Sequence, residues 1–431
     1  NKINFIHNLL NPTELTKKNR GEVLTPFNLI EDMLNQLPNE VWSNPNLKWL
    51  DPASGLGNFQ IIILKKLMEG LKNIIIDEEE RQKHIIENMI YYAEFSQLNS
   101  NIYQKLMNPN DKYRLNIYTG DSLSENLITH IKNIWNVDKF DIIVGNPPYQ
   151  TFQKASGKRG GGDLLWNKFV IKSLNVLLKN NGYLIFVHPP IWRKPTTKRG
   201  KTYGLYNLMT KQNTMISLSM FDSKKGKEIF NAGTKFDYYL IQKKENDNNK
   251  QTKIYNFDEV IEYIDISKYL FLPHKNIKQI TNLIDIYEKN AKNENKIIAN
   301  SIYESRKKFV SINKTNEFKY PLIHATNKDG IRYLYSSKND LGHFSIKKAI
   351  FGDSGINDVI LDNDGIYGMS NHGFAIPYHN NNDGILLKNV LLSNYFKKNI
   401  LAPLMFSNFG IEWRIFLYFK KDWWKLLENK I

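Results

Sequence analysis

Asp141-Ile142-Ile143-Val144-Gly145-Asn146-Pro147-Pro148-Tyr149 decides how the rest of the chain is read. An apolar run with an acidic start stops at Gly145, and two prolines that lack an N–H then prevent further strand pairing. The stretch predicts a buried strand with a stiff polar tetrapeptide at its carboxyl end, where open α/β sheets bind their ligands. The Asn146 side chain offers a carbonyl acceptor and the Pro147 backbone a second, beside the flat face of Tyr149. Two acceptors and one ring suit a single exocyclic amino group. A plain strand-to-loop turn is the alternative, because Asn-Pro pairs are common turn formers.

With 431 residues and 41% hydrophobic content the chain has material for two domains with real cores. It has no cysteine, which excludes disulfides, thiolate zinc sites and a Cys nucleophile. C5-cytosine methylation, which proceeds through a cysteine adduct, is excluded with them. No run reaches membrane-span length and no signal-peptide pattern is visible, so the expectation is an intracellular protein without a membrane partner.

Lys and Arg total 59 against 43 acids, a net charge of +16. Between residues 151 and 210 Asp163 is the sole acid among many basic residues. Clustering of one sign there predicts a phosphate-binding surface rather than a mixed solvated face, with Lys154, Arg159, Arg193, Lys194, Lys198 and Arg199 as substrate contacts.

Upstream, Thr25-Pro26 opens a helix over Asn28–Leu34, with Thr25 as the cap and Pro26 in the first turn. Leu47–Asp51 reads as a strand, Pro52-Ala53-Ser54-Gly55-Leu56-Gly57-Asn58-Phe59 as a tight turn, and a helix follows from Gln60. Gly55 and Gly57 let backbone approach a ligand at the helix start, a device that by itself also suits a nicotinamide dinucleotide. Two more candidate strands end in acids, Met89–Glu94 and Leu115–Asp121. Asp163–Leu178 reads as a helix, Gly182–Val187 as a strand ended by His188, and Phe230–Gly233 as a turn into a strand at Phe236–Ile241. The polar interval Lys243–Lys253 marks a domain boundary.

Asn-Pro-Pro-Tyr after the DIIVG strand resembles motif IV of the amino-methyltransferases that use S-adenosyl-L-methionine. The string from Asp51 to Phe59 is similar to their motif I, and Thr25-Pro26 to motif X. The order of these motifs, followed by a large C-terminal region, resembles the gamma class of DNA adenine N6-methyltransferases over residues 21–243. That resemblance implies a Rossmann-like α/β methyltransferase sheet over 1–245 and a C-terminal mixed α+β target-recognition domain over 253–431. It implies cofactor contacts from Thr25, Pro26, Asp51, Ala53, Gly55, Gly57, Asn58 and Asn146, with Glu94 on the ribose hydroxyls and Asp121 on the adenine amino group. Asn146, Pro147, Pro148 and Tyr149 would act on a flipped adenine in double-stranded DNA, and Phe230 would stack on it. No metal is called for, His188 is not required as a base, and a nuclease partner could be encoded separately. N4-cytosine methylation, a protein-glutamine or RNA-base acceptor, and a catalytically silent DNA-binding subunit stay open as alternatives.

Overall fold

The computed structural model describes residues 24–150, 163–246, 250–256, 261–287, 297–299, 302–327, 330–353, 355–406 and 411–431. Two compact units emerge, one running to Trp192 and again from Thr196 to Ser267, the other formed by Arg193–Pro195 and Lys268–Ile431.

The first unit is built on one nine-stranded sheet. Its strands are β1 Trp49–Asp51, β2 Ile90–Glu94, β3 Asn116–Thr119, β4 Phe140–Gly145, β5 Leu178–His188, β6 Thr214–Phe221, β7 Phe236–Gln242, β8 Thr252–Tyr255 and β9 Ile261–Ile264. They lie in the order β3-β2-β1-β4-β5-β7-β6-β8-β9. β1 through β5 run parallel, and β7 is antiparallel to both β5 and β6. The chain winds outward in one direction through β2 and β3 and in the other through β4 and β5. The reversal falls between β1 and β4, which opens a crevice at their carboxyl ends.

The helices are α1 Phe27–Leu34, α2 Asn58–Gly70, α3 Glu78–His84, α4 Gln97–Met107, α5 Glu125–Asn133, α6 Trp166–Lys172, α7 Leu205–Thr210 and α8 Ser223–Phe230. α1 buries Leu29, Ile30, Met33 and Leu34, a spacing that lines one helical stripe. This stripe meets Phe59, Ile62, Ile63 and Leu67 of α2 over the inner residues of β1, β4, β5 and β7. α4 is capped by Ser96, whose hydroxyl accepts from the Asn99 amide.

Three expectations from the sequence change. The helix after Asp163 is shorter, α6 passing through a π-helical turn Ser173–Leu177 straight into β5, which begins at Leu178 rather than Gly182. Lys179 Nζ bonds both oxygens of Asp141 at 2.8 and 3.0 Å, which fastens the start of β5 beside the start of β4. The polar interval at Lys243–Lys253 is not where the first unit ends, because β8 pairs with β6 and β9 with β8. Backbone pairing overrides a polar composition there.

In the second unit, β10 Val310–Ser311, β11 Tyr320–Asn327, β12 Gly330–Ser336 and β15 Gly368–Met369 form one sheet. β13 Lys348–Gly352, β14 Ile360–Asp362 and β16 Gly373–Pro377 form another, with helices α9 Ile277–Thr281 and α10 Asn381–Leu392. The aromatic C-terminus supplies core: Trp423 stacks on Phe396 at 5.2 Å, and Trp423 and Trp424 are buried. Lys348 and Asp362 form a buried ion pair, with the Asp362 carboxylate also accepting the Ile366 and Tyr367 amides at 2.9 and 3.1 Å. Among the described residues no helix is long and apolar enough to cross a membrane.

Near that pair His343 is buried, and its Nδ1 accepts the Met369 amide at 3.1 Å. Burial, with the Lys348 charge adding to it, pushes its pKa down from 6.5 to about 4. A lowered folded-state pKa gives stability that is present above the unfolded value and lost as pH falls through the folded one. Acid should therefore melt the second unit progressively between pH 6.5 and about 4, and His343→Gln should flatten that slope in thermal denaturation followed against pH.

Candidate active site at the carboxyl ends of β1, β2 and β4

The crevice is set by register. Trp49 and Leu50 of β1 sit beside Ile142 and Ile143 of β4, so Asp51 and Gly145 come together at the strand ends. A Cβ on Gly145 would lie 2.7 Å from Asp51 Oδ1, so the approach admits only glycine. Just past it the Asn146 amide donates from Nδ2 to Thr25 Oγ1 at 3.1 Å. The Thr25 carbonyl accepts from Asn58 Nδ2 at 3.0 Å. Thr25 is buried and ties the entry of α1 to the first turn of α2 and the end of β4. It does not cap α1: Pro26 holds the capping position and no side chain caps the helix. The hydroxyl is used on Asn146 instead. Tyr149 has its hydroxyl buried without a hydrogen-bond partner among the described residues, and burial pushes its pKa up.

On β1, Asp51 is buried, and its Oδ1 accepts the Ala53 amide at 3.0 Å. Its Oδ2 has no hydrogen-bond partner among the described residues. Burial holds its pKa well above the ordinary carboxylate range; the Ala53 amide opposes the rise and the Glu94 charge adds to it. Ser54 braces the turn, its hydroxyl donating to the Asp51 carbonyl at 2.9 Å and accepting Gln60 Nε2 at 2.8 Å. Gly55 and Gly57 take φ of +54° and +87°. A Cβ on Gly57 would overlap the Tyr103 ring, whereas a Cβ on Gly55 would meet nothing within 4 Å. The loop is packed under Gly57 and open beside Gly55.

The acid ending β2 faces this loop. Glu94 Oε2 accepts the Gly55 amide at 2.9 Å, and Oε1 accepts the Ser96 amide at 2.9 Å. Asp121, beyond β3, is exposed and accepts the Leu123 amide at 2.8 Å, shaping the turn towards α5. Sequence reading missed three aromatics here. The Tyr92 hydroxyl donates to the Gly55 carbonyl at 2.7 Å, Tyr103 underlies Gly57, and Phe95 is 76% exposed beside Glu94. An aromatic directly after a strand-end acid was the available signal for Phe95.

The structure breaks up the basic stretch. Lys154 and Arg159 lie outside the described residues. Arg193 is fully buried in the second unit, donating to the carbonyls of Leu272 and Pro273 at 3.3 Å and to His274 Nδ1 at 2.7 Å, so it is no phosphate contact. Lys194 pairs with Glu412 at 3.1 Å and is likewise committed inside that unit. Lys198 and Arg199 are exposed. Phe230 ends α8 with its ring edge-on to Phe236 at 5.0 Å, half-buried against the main core. His188 is buried, bonded to the Tyr239 hydroxyl at 2.9 Å and stacked on Trp166 at 4.1 Å, a core histidine.

Residues 72–230 match the family described as Eco57I restriction-modification methylase. A curated relative from Mycoplasma pneumoniae, described as an uncharacterized adenine-specific methylase, is 26% identical over 237 residues, 40% of this chain. The match spans 55% of that relative's length. Among solved structures, the Type IIL restriction-modification enzyme MmeI in complex with DNA aligns with a TM-score of 0.55 at 13% identity, covering 94% of this chain and 69% of that one. The Type ISP restriction-modification enzyme LlaGI, as a nuclease-deletion mutant with a DNA substrate mimic, aligns at 0.54 and 12% identity, covering 100% of this chain and 48% of that one. The fold is one these restriction-modification enzymes share, an α/β sheet of mainly parallel strands joined to a C-terminal mixed α+β region.

Two outcomes follow from this packing. Gly57→Ala should lower the melting temperature far more than Gly55→Ala, because both carry positive φ strain of about 1–2 kcal/mol and only Gly57 meets Tyr103. Arg193→Ala should destabilise the second unit, leaving His274 and two carbonyls without their donor; limited proteolysis of the region after Lys268 reads this out.

Proposed function

We propose that the chain is a site-specific DNA methyltransferase that transfers a methyl group from S-adenosyl-L-methionine to N6 of adenine in double-stranded DNA, within a restriction-modification system. One observation carries the reading: Asn146, held by Thr25, stands at the end of β4 beside the glycine loop of β1. The match to the Eco57I family and the adenine-specific relative support both the chemistry and the base.

The residues fit the cofactor. The open side of Gly55 leaves room for a ligand, and the buried Asp51 Oδ2 is an orphaned acceptor of the kind a cationic ligand satisfies. Bound there, S-adenosylmethionine supplies an electrophilic methyl group. Asp51 would meet its positive charge, and Glu94 would receive the ribose hydroxyls while steadying Gly55. Thr25, Pro26, Ala53, Gly57 and Asn58 would shape the walls, and Asp121 would take the adenine amino group. The exposed Phe95 ring offers an apolar face for the same adenine.

The target adenine must leave the duplex to reach this crevice. Asn146 Oδ1 and the Pro147 carbonyl would accept its two N6 hydrogens, directing the nitrogen lone pair at the methyl carbon and stabilising the charge that grows on N6 as the N–C bond forms and the S–C bond breaks; one N6 proton would then pass to solvent. Pro148 stiffens the acceptor pair, and Tyr149 stacks on the flipped ring. The second unit, from Lys268 onward, would read the target sequence, and Lys198 and Arg199 of the first unit would be among the contacts to phosphates.

Labelled cofactor offered with duplex DNA, RNA and a protein extract tests the reading. Label is expected in N6-methyladenine of duplex DNA; label in cytosine, RNA or protein overturns it. Asn146→Ala should slow single-turnover transfer by about 10²–10³ with calorimetric cofactor affinity little changed.

A further inference from the structure

Tyr92 lies on β2, two residues before the strand-end Glu94. It is fully buried on β2, and its ring stacks on Tyr103 of α4 at 4.0 Å and 11°. From this position it reaches the glycine loop through its hydroxyl, which donates to the Gly55 carbonyl at 2.7 Å. Tyr103 reaches the same loop with its ring, filling the space a Gly57 Cβ would need.

The rest of the grip comes from the same strand. Residues two apart on a strand share a face, so Tyr92 and Glu94 present their side chains to the loop together. Glu94 Oε2 accepts the Gly55 N–H at 2.9 Å while Tyr92 holds the Gly55 carbonyl. Gly55 is thus held at its donor and at its acceptor by two neighbouring side chains of β2. Glu94 Oε1 also takes the Ser96 amide at 2.9 Å, and Ser96 caps α4. One carboxylate therefore links the loop to the start of the helix that carries Tyr103. Burial and the Glu94 charge keep the Tyr92 hydroxyl protonated, hence a donor.

We infer that Tyr92 and Tyr103 are positioning residues that set the orientation of the Gly55 peptide, and with it the shape of the cofactor pocket's open side. Neither ring need touch the cofactor. Tyr92 acts through Gly55, and Tyr103 acts by holding Tyr92 flat and supporting Gly57. A purely structural pair would stabilise the unit without tuning ligand affinity. This inference rests on the cofactor reading given above.

The experiment is calorimetric titration of S-adenosylmethionine into the full chain without DNA, beside thermal denaturation and steady-state kinetics. Tyr92→Phe keeps the stack and removes one hydrogen bond. It should raise the cofactor dissociation constant about tenfold, raise KM for cofactor in step, and leave kcat at saturation unchanged, with little change in melting temperature. Tyr103→Phe keeps the ring and should bind as the wild type does. Tyr103→Leu should weaken binding, and combining it with Tyr92→Phe should add less than the sum of the two. Wild-type affinity in Tyr92→Phe overturns the inference, as does a loss of affinity that only tracks a lowered melting temperature. A wild-type chain that binds no S-adenosylmethionine overturns the cofactor reading, and this inference with it; a wild type that binds, with variants that match it, overturns the inference alone.

Discussion

Gly145 has no room for a side chain, and the site follows from that. The strand it ends lies so close to β1 that any Cβ would meet the Asp51 carboxylate at 2.7 Å. Close approach brings the tetrapeptide after β4 beside the glycine turn after β1, at the point where the strand order reverses. Thr25 then fastens the arrangement from a third direction, with its hydroxyl on Asn146 and its carbonyl on Asn58. Three segments distant in sequence converge on one buried threonine. Because an Asn side chain has a donor end and an acceptor end, holding the Nδ2 end at Thr25 also decides which way the carbonyl faces.

The same packing explains what the sequence revealed and what it hid. Strand ends were legible because prolines and glycines punctuate them, as at Gly145-Asn146-Pro147-Pro148, and because an acid repeatedly follows an apolar run, as at Asp51 and Glu94. Thr25 was legible as a residue of interest but not as a tie to Asn146, since that bond spans two segments and leaves no local pattern. Tyr92 looked like one more strand aromatic, and only the path of the chain brings its hydroxyl to Gly55. The end of the first unit is not legible in the polar interval Lys243–Lys253, because β8 and β9 join the sheet through backbone bonds that composition does not encode.

Charge was the least faithful guide. A run of Lys and Arg signals phosphate binding only if the side chains reach solvent, and net charge says nothing about where they go. Trp192 belongs to the first unit, donating its indole N–H to Asp237 at 2.9 Å, while the next residue, Arg193, is buried in the second. A buried guanidinium needs acceptors around it, and Arg193 has two carbonyls and an imidazole nitrogen. Lys194 is likewise taken up by Glu412, whereas Lys179 and Lys201 pair with Asp141 and Asp163 but stay about half exposed. The electrostatic case for a nucleic-acid surface on the described part of this stretch therefore narrows to exposed groups such as Lys198 and Arg199.

Asp51 shows what such a site costs a protein. Its carboxylate is buried, one oxygen satisfied by the Ala53 amide and the other without a partner among the described residues, so its charged form is disfavoured and its pKa rises. A raised folded-state pKa means stability that is present at low pH and lost as pH climbs through the raised value. By that sign the folded chain is least well served by Asp51 under the conditions in which it must be ionised. A neutral residue of the same shape would avoid that cost to folding. Glu94, a second acid, adds to the same penalty rather than relieving it. Two carboxylates converging on an open glycine loop make sense when a cation completes the set, which is the charge that the proposed sulfonium cofactor brings.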